Sequence, residues 1–357
     1  MRHRDVGVLV YDRAKATPGY TLIVPQSSRK AYLIGMRGEV LHEWSFPLCP
    51  GNYAYLLPNG NLLWAGRVED AGPPLWRGKG GLLREYTWEG EVVWEYSDPA
   101  QHHDFRRRPD GNTIYIGWEP VPADVQPRIK GGYPGSEHEG VTYGDYVREV
   151  SPSGETVWEW HAWRDLDLDR WELCHSCGRD EFAHANACFP LEDGGVMLSF
   201  RRLNAIMMID RETRKVSWSH QDATWGHQHD CTVLPNGNIL LFANGIHGLD
   251  NPFSRVIELD PKLGETVWHY RGSPIWTFFS PNISGAQRFD NGNTLICEGQ
   301  MGRAFEVTQA GEIVWEYVCP FFADYQGRGP ANSMFRVYRY AADSPEISGR
   351  LASPVGW

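Results

Sequence analysis

The 357-residue sequence has no apolar run near the ~18 residues that cross a bilayer, which excludes a helical membrane protein. It also lacks a basic surplus: 34 Lys and Arg stand against 45 Asp and Glu, a net charge of -11. Nothing supplies the positive groove that a nucleic-acid backbone requires, so neither nucleic acid nor membrane is an expected partner. The one apolar stretch near Met1 runs only from Val6 to Tyr11. It is too short for the core of a secretory signal, so a cytoplasmic location is expected. Cysteine is sparse and odd in number: Cys49, Cys174, Cys177, Cys188, Cys231, Cys297 and Cys319. Scattered over a long chain, they do not read as a disulfide framework. Glycine and tryptophan are plentiful instead, at 38 and 16 residues, which points to short strands and tight turns.

Two strings recur. Gly-Glu-x-Val-Trp-(Glu/His)-(Tyr/Trp) stands at Gly90–Tyr96, Gly154–Trp160, Gly264–Tyr270 and Gly311–Tyr317, with weaker copies at Arg214–His220 and Gly38–Trp44. Pro-(Asn/Asp)-Gly-Asn stands at 58–61, 109–112 and 235–238, with variants at Glu192–Gly195 and Asp290–Asn293. Each string lies between alternating or apolar segments, so each marks a hairpin whose glycine supplies the positive φ of a tight turn. The two hairpins alternate along the chain. Four strands per unit is the pattern of a β-propeller blade, whereas a two-sheet sandwich would not need two alternating hairpin types. Five blades are complete, and a sixth combines an N-terminal hairpin (Tyr20–Trp44) with a C-terminal strand (Ser333–Tyr340). The expected fold is therefore all-β, a six-bladed propeller of four-stranded antiparallel blades, closed by pairing the chain ends. It is read as one domain over 1–357.

Blade register points to a site. Eight residues before each inner-hairpin glycine stand Asn52, His103, Asn186, His229 and Ser284. Two further back, on the same face by the strand period, stand Pro50, Gln101, His184, His227 and Asn282. In a propeller the first strand of a blade lines the channel, so these side chains are expected to converge at one mouth. Arg201 ends the second strand of blade three on that face, and long insertions at about 119–145, 162–183 and 244–254 fall there as well. Each histidine alone is more often a hydrogen-bonded filler, but four at matching register carry more weight.

These residues resemble the bacterial aryl-sulfate sulfotransferases, which are six-bladed propellers. The likeness rests on His184-Ala-Asn186 followed by Ser199-Phe-Arg201, on Gln228-His229-Asp230 before Pro-Asn-Gly-Asn, and on Ser284 to Arg288 through Phe305 to Thr308. It implies transfer of a sulfuryl group from an aryl sulfate to a phenol without the nucleotide donor PAPS. By resemblance, His229 is the nucleophile, His184, Asn186 and Arg201 hold sulfate oxygens, and His103 completes the site. Asn52, His227, Asn282 and Ser284 are the remaining expected substrate contacts. Asn282 and Ser284 depart from the family in offering blade five only weak polar groups. The substrate is expected to be small and aromatic or anionic, with no cofactor.

Two other classes stay open. His103, His184, His227 and His229 could instead surround a divalent or transition metal, giving a hydrolase, lyase or oxidase. A non-catalytic scaffold is the third reading, although it needs no strand-start histidines. Cys174-His-Ser-Cys177 offers only half of a zinc motif, so a reduced pair in a lid loop is expected there. Asp104 and Asp230 follow histidines but face the other way, so they are expected to bind backbone or a neighbouring blade. The repeat tryptophans are expected to fill the gaps between blades.

Overall fold

A computed structural model describes residues 5–248 and 251–351. The chain is all-β: its antiparallel sheets follow one another in chain order as the blades of a six-bladed β-propeller. The residues group into two compact units, one of 1–67, 82–97 and 280–357, the other of 68–81 and 98–279. Among the described residues no helix is long and apolar enough to cross a membrane.

The first unit carries blades one, five and six. Blade one runs through Pro50–Leu56, Leu62–Arg67, Gly81–Tyr86 and Val92–Ser97. In blade six the C-terminal strand Tyr338–Tyr340 pairs antiparallel with Tyr20–Ile23, Tyr20 opposite Tyr340, and Lys30–Ile34 and Val40–Ser45 follow. The expected pairing of the chain ends is present. Blade five has Gly285–Arg288, Thr294–Glu298, Arg303–Val307 and Ile313–Val318. It also gains a fifth strand, Gly7–Tyr11, with Val8 opposite Tyr317. That segment reads in the sequence only as a short apolar stretch; here it covers an otherwise open sheet edge.

The second unit carries blades two, three and four. Their first strands, Gln101–Arg107, Ala185–Pro190 and His229–Val233, pack side by side. Apolar side chains fill the space between consecutive blades, for example Ile116, Trp160, Phe200 and Met207 between blades two and three.

The two repeats have physical reasons. In Pro-(Asn/Asp)-Gly-Asn the glycine takes φ 80° at Gly60, 89° at Gly111 and 84° at Gly237. The side chain before it accepts a hydrogen bond from the amide two residues on, as Asn59 does from Asn61 at 3.0 Å. The last Asn then donates its amide to a glutamate on the third strand of the same blade: Asn61 to Glu85 and Asn238 to Glu258 at 2.7 Å, Asn112 to Glu149 at 2.8 Å. The repeat tryptophan reaches the next blade. Trp158 Nε1 donates to the carbonyl of Arg211 at 2.9 Å, Trp218 to that of Pro261 at 3.0 Å, and Trp315 to that of Met36 at 2.9 Å. One string thus ties a blade internally, and the other fastens it to its neighbour.

Candidate functional site

The strand starts of the second unit are not regular. His103 (φ 51°), His184 (φ 57°), His227 (φ 69°) and Asp230 (φ 53°) all sit in the left-handed region, which disfavours side-chain-bearing residues. At the starts of blades two, three and four the pairing slips where the first strand meets the second, between Tyr115 and Ile116, Ala185 and Ala187, and His229 and Thr232. Such bulges add a residue and re-aim side chains. They break the two-residue alternation on which the second register row depends. Gln101 illustrates this, because its Oε1 accepts the Gly81 amide at 2.9 Å and its side chain serves backbone.

His229 is buried, with Nδ1 2.7 Å from Asn244 Oδ1 and 3.1 Å from the carbonyl of His227. A carbonyl oxygen can only accept, so Nδ1 carries the proton and Nε2 keeps its lone pair. His103 lies against His184, ring centroids 4.7 Å apart. Its Nδ1 is 2.7 Å from Nδ1 of His102, whose Nε2 is 3.3 Å from Asp145. His102 in turn stacks on Trp118 at 4.0 Å. Burial, then the neighbouring His184, His102, His229 and Arg201, holds His103 well below the ordinary histidine value. His103 is therefore held as the neutral ring at pH 7.

His184 contacts Glu181 through Nδ1 at 2.5 Å. Burial and the charges of Arg201 and Arg202 keep it well below the ordinary value as well. Glu181 does not reverse this because Arg202 stands 3.6 Å away and balances it. Arg202 is held through Nη1 and Nη2, donating to Gly178 O, Asp180 and Glu181 O. Arg201 differs. No carboxylate lies within ion-pair distance of it among the described residues, and burial pushes it down to about 10, still charged at neutral pH. A partly buried guanidinium with no carboxylate partner, beside imidazoles, has the chemistry to hold an anion.

Of the predicted residues, His103, His184, Asn186, Arg201, His227 and His229 all belong to the second unit. The mutual electrostatic influence of His103, His184, His229 and Arg201 marks them as one cluster. Asn186 gives an amide hydrogen to the carbonyl of Gln228 at 2.7 Å and so ties blade three to blade four. His227 turns to Cys177, 3.5 Å from its Nε2, away from the other three histidines. Asn52, Asn282 and Ser284 belong to the first unit. Ser284 Oγ accepts from the Gly299 amide, and Asn282 is exposed. Asp104 binds the Cys188 amide of the next blade at 2.8 Å, as its outward parity requires. In the aromatic run Trp276 to Phe279, Phe278 packs on Phe242 and Tyr270 while Trp276 is exposed.

Sequence reasoning missed His102, Asp145, Glu181, Asn244 and Gly78. Only Gly78 carries a local signal, a glycine between charged residues at 77 and 79. Its φ is +79°, its carbonyl accepts the His103 amide at 2.7 Å, and an added Cβ would lie 2.1 Å from His103 Cε1. The insertions at 119–145 and 162–183 meet each other: Lys130–Tyr133 pairs in parallel with Glu172–Gly178. The insertion at 244–254 includes Leu249 and Asp250, which lie outside the described residues. Cys174, Cys177, His227 and His247 form the grouping of the described residues that could hold a metal ion.

Residues 75–319, more than half of the chain, match the family model described as Arylsulfotransferase (ASST). No curated protein matches. Among solved structures, a protein of unknown function from Bacteroides caccae is 13% identical over 90% of this chain and 98% of its own, at a TM-score of 0.57. A streptogramin B lyase is 11% identical over 94% and 93%, at 0.47. An inactive variant of virginiamycin B lyase from Staphylococcus aureus, solved with quinupristin, is 11% identical over 88% of each chain, also at 0.47. These likenesses concern the fold alone.

Proposed function

The chain belongs to the arylsulfotransferase family, and from that premise we propose that it moves a sulfuryl group from an aryl sulfate to a phenol through a covalent intermediate on His229. The observation that carries the reading is the tautomer: Nδ1 of His229 faces two acceptors, so the neutral ring keeps its lone pair on Nε2, in a cluster where His229 and Arg201 both act on His103 and His184. In the first step Nε2 attacks sulfur, the S–O(aryl) bond breaks, and the phenolate leaves with the bonding pair. The Nδ1–H bond to Asn244 shares the positive charge that the sulfated ring acquires. In the second step His103 takes the proton of the acceptor phenol, the phenolate oxygen attacks sulfur, and the N–S pair returns to Nε2. His103 then returns its proton to solvent, which protonates the phenolate released in the first step. The transition state is loose, with charge on the non-bridging oxygens, so positioned cations supply most of the catalysis. Arg201 fills that role. A bound sulfate ester also raises the proton affinity of His184, which can then donate to an oxygen from Nε2.

The direct test uses an aryl sulfate without an acceptor. A burst of phenol equal to the enzyme concentration, with one acid-labile sulfuryl adduct on the peptide that holds His229, is expected. Steady phenol release with no adduct would sink the covalent route.

Two further outcomes follow from the geometry. Because burial depresses His103, its base form persists in acid. The acidic limb of kcat/KM for the acceptor is expected below 6.5, the ordinary histidine value. A limb at or above that value would remove His103 as the base. Substitution Gly78→Ala forces the His103 ring to move without touching the core of any blade. Transfer is expected to fall roughly 100-fold with circular dichroism unchanged. Wild-type turnover in this variant would show that His103 need not hold its present position.

A further inference from the structure

We propose that Cys174, Cys177, His227 and His247 form a zinc site that fastens the insertion loops to the start of blade four. The Cys-x-x-Cys pair lies on Glu172–Gly178 in one insertion, His227 precedes the first strand of blade four, and His247 lies in the insertion after Ala243. The histidine half that a zinc motif needs thus comes from 50 and 70 residues downstream of Cys177, beyond the reach of local spacing.

Ligand geometry carries the assignment. One potential ligand atom from each of the four side chains lies within 4.8 Å of the other three. Cys177 Sγ is 3.5 Å from His227 Nε2 and 3.9 Å from His247 Nδ1, and Cys174 Sγ is 3.7 Å from His247 Nδ1. Tetrahedral zinc with Zn–S near 2.3 Å and Zn–N near 2.0–2.1 Å places S and N about 3.6 Å apart. The imidazoles of His227 and His247 lie 4.5 Å apart at 71°, converging without stacking. Both histidines hold positive φ, 69° and 59°, a conformation that costs energy and calls for a compensating contact.

The chemistry matches zinc. Two thiolates and two neutral imidazoles make a borderline-soft set whose two negative charges Zn2+ balances, and binding releases the two thiol protons to solvent. Four protein ligands close the coordination sphere, so the ion is structural and takes no substrate. Outer contacts hold the ligands in place: the His227 amide donates to Asn204 Oδ1 at 2.8 Å, and Arg202 donates to the carbonyl of Gly178 at 2.8 Å.

The site bears on the nucleophile through chain connectivity. Both acceptors on His229 Nδ1, the carbonyl of His227 and the side chain of Asn244, lie within three residues of a zinc ligand or on one. That consequence rests on the proposed sulfotransfer; binding of the metal does not.

The test is metal analysis of full-length protein purified under reducing conditions. One zinc per chain is expected, with X-ray absorption showing two sulfurs near 2.3 Å and two nitrogens near 2.0–2.1 Å. Cys174→Ser and His247→Ala should each lower zinc to near zero. His247 is exposed, so its variant stays folded and reports binding even where a cysteine variant does not. If the purified protein is metal-free, wild type stripped with a chelator and titrated with Zn2+ should take up one equivalent, displacing two thiol protons. Chain that takes up no zinc, zinc that survives both substitutions, or a Cys174–Cys177 disulfide in freshly prepared protein would each overturn the assignment. Phenol transfer with no zinc bound would leave sulfotransfer standing and remove the zinc site alone.

Discussion

Substitution of His229 by alanine is expected to lower sulfuryl transfer roughly 10⁴- to 10⁶-fold, the scale seen when a covalent nucleophile is removed from a preorganised site. The size follows from the two-step scheme, because without Nε2 no intermediate divides the reaction and water or phenol must attack sulfur directly. A structural explanation predicts something else. His229 is buried and its Nδ1 is paired with Asn244, so truncation removes that hydrogen bond, a loss of about 0.5–1.5 kcal/mol. Such a loss lowers the melting temperature but does not by itself silence folded protein. The decisive readout is binding: Arg201 and His184 remain, so the variant should hold an aryl sulfate with near wild-type Kd and fail to cleave it. A variant that loses less than about tenfold in kcat, or that loses binding and turnover together, would place the nucleophile elsewhere.

The fold is legible because its repeats are mechanical parts. A reader of Pro-Asn-Gly-Asn sees a turn, and the structure adds that its last Asn seizes a glutamate on the third strand, as Asn238 does with Glu258. The Trp in Gly-Glu-x-Val-Trp reaches the next blade's backbone, as Trp158 reaches the carbonyl of Arg211. Gly7–Tyr11 was not legible as a strand of blade five. It joins through backbone hydrogen bonds along the last strand, and such pairing leaves no mark on side-chain pattern.

The site was legible only where register alone sets position. Counting from the turn glycines finds His103, Asn186 and His229, since the hairpin fixes that distance. The second row is disturbed because pairing slips at His103–Asp104, between Ala185 and Ala187, and between His229 and Thr232 interrupt the period of two. Thus Gln101 serves backbone, and His102 enters the network through Asp145. Asn244 and Glu181 act through contacts with His229 and His184 that no spacing announces. The same reason hid the partners of Cys174 and Cys177: folding brings His227 and His247 to them from separate segments.

Arg201→Met is expected to separate catalysis from stability in opposite directions. Arg201 is partly buried, still charged, and has no carboxylate within ion-pair distance among the described residues. Burying an unpaired charge costs the fold, and methionine of similar length removes that cost. The melting temperature should therefore hold or rise. Activity should fall about 10²- to 10³-fold in kcat/KM for the sulfate donor, the loss typical of one preorganised donor to a developing oxyanion. Arg201→Lys keeps the charge but loses the planar fork, and should lie between the two. The neighbouring Arg202 provides the contrast, because it is itself buried and bound to Asp180 and to the buried Glu181, and its removal takes the cation away from both carboxylates. Arg202→Met should lower stability by about 3–5 kcal/mol. If Arg201→Met were as destabilising as Arg202→Met, Arg201 would be a structural cation and not the anion contact. A stable Arg201→Met that turns over aryl sulfate normally would remove Arg201 from the reaction altogether. The expected pattern, a stabler protein that no longer transfers, is what a guanidinium kept for an anionic substrate produces, since the fold bears its desolvation until the sulfate arrives.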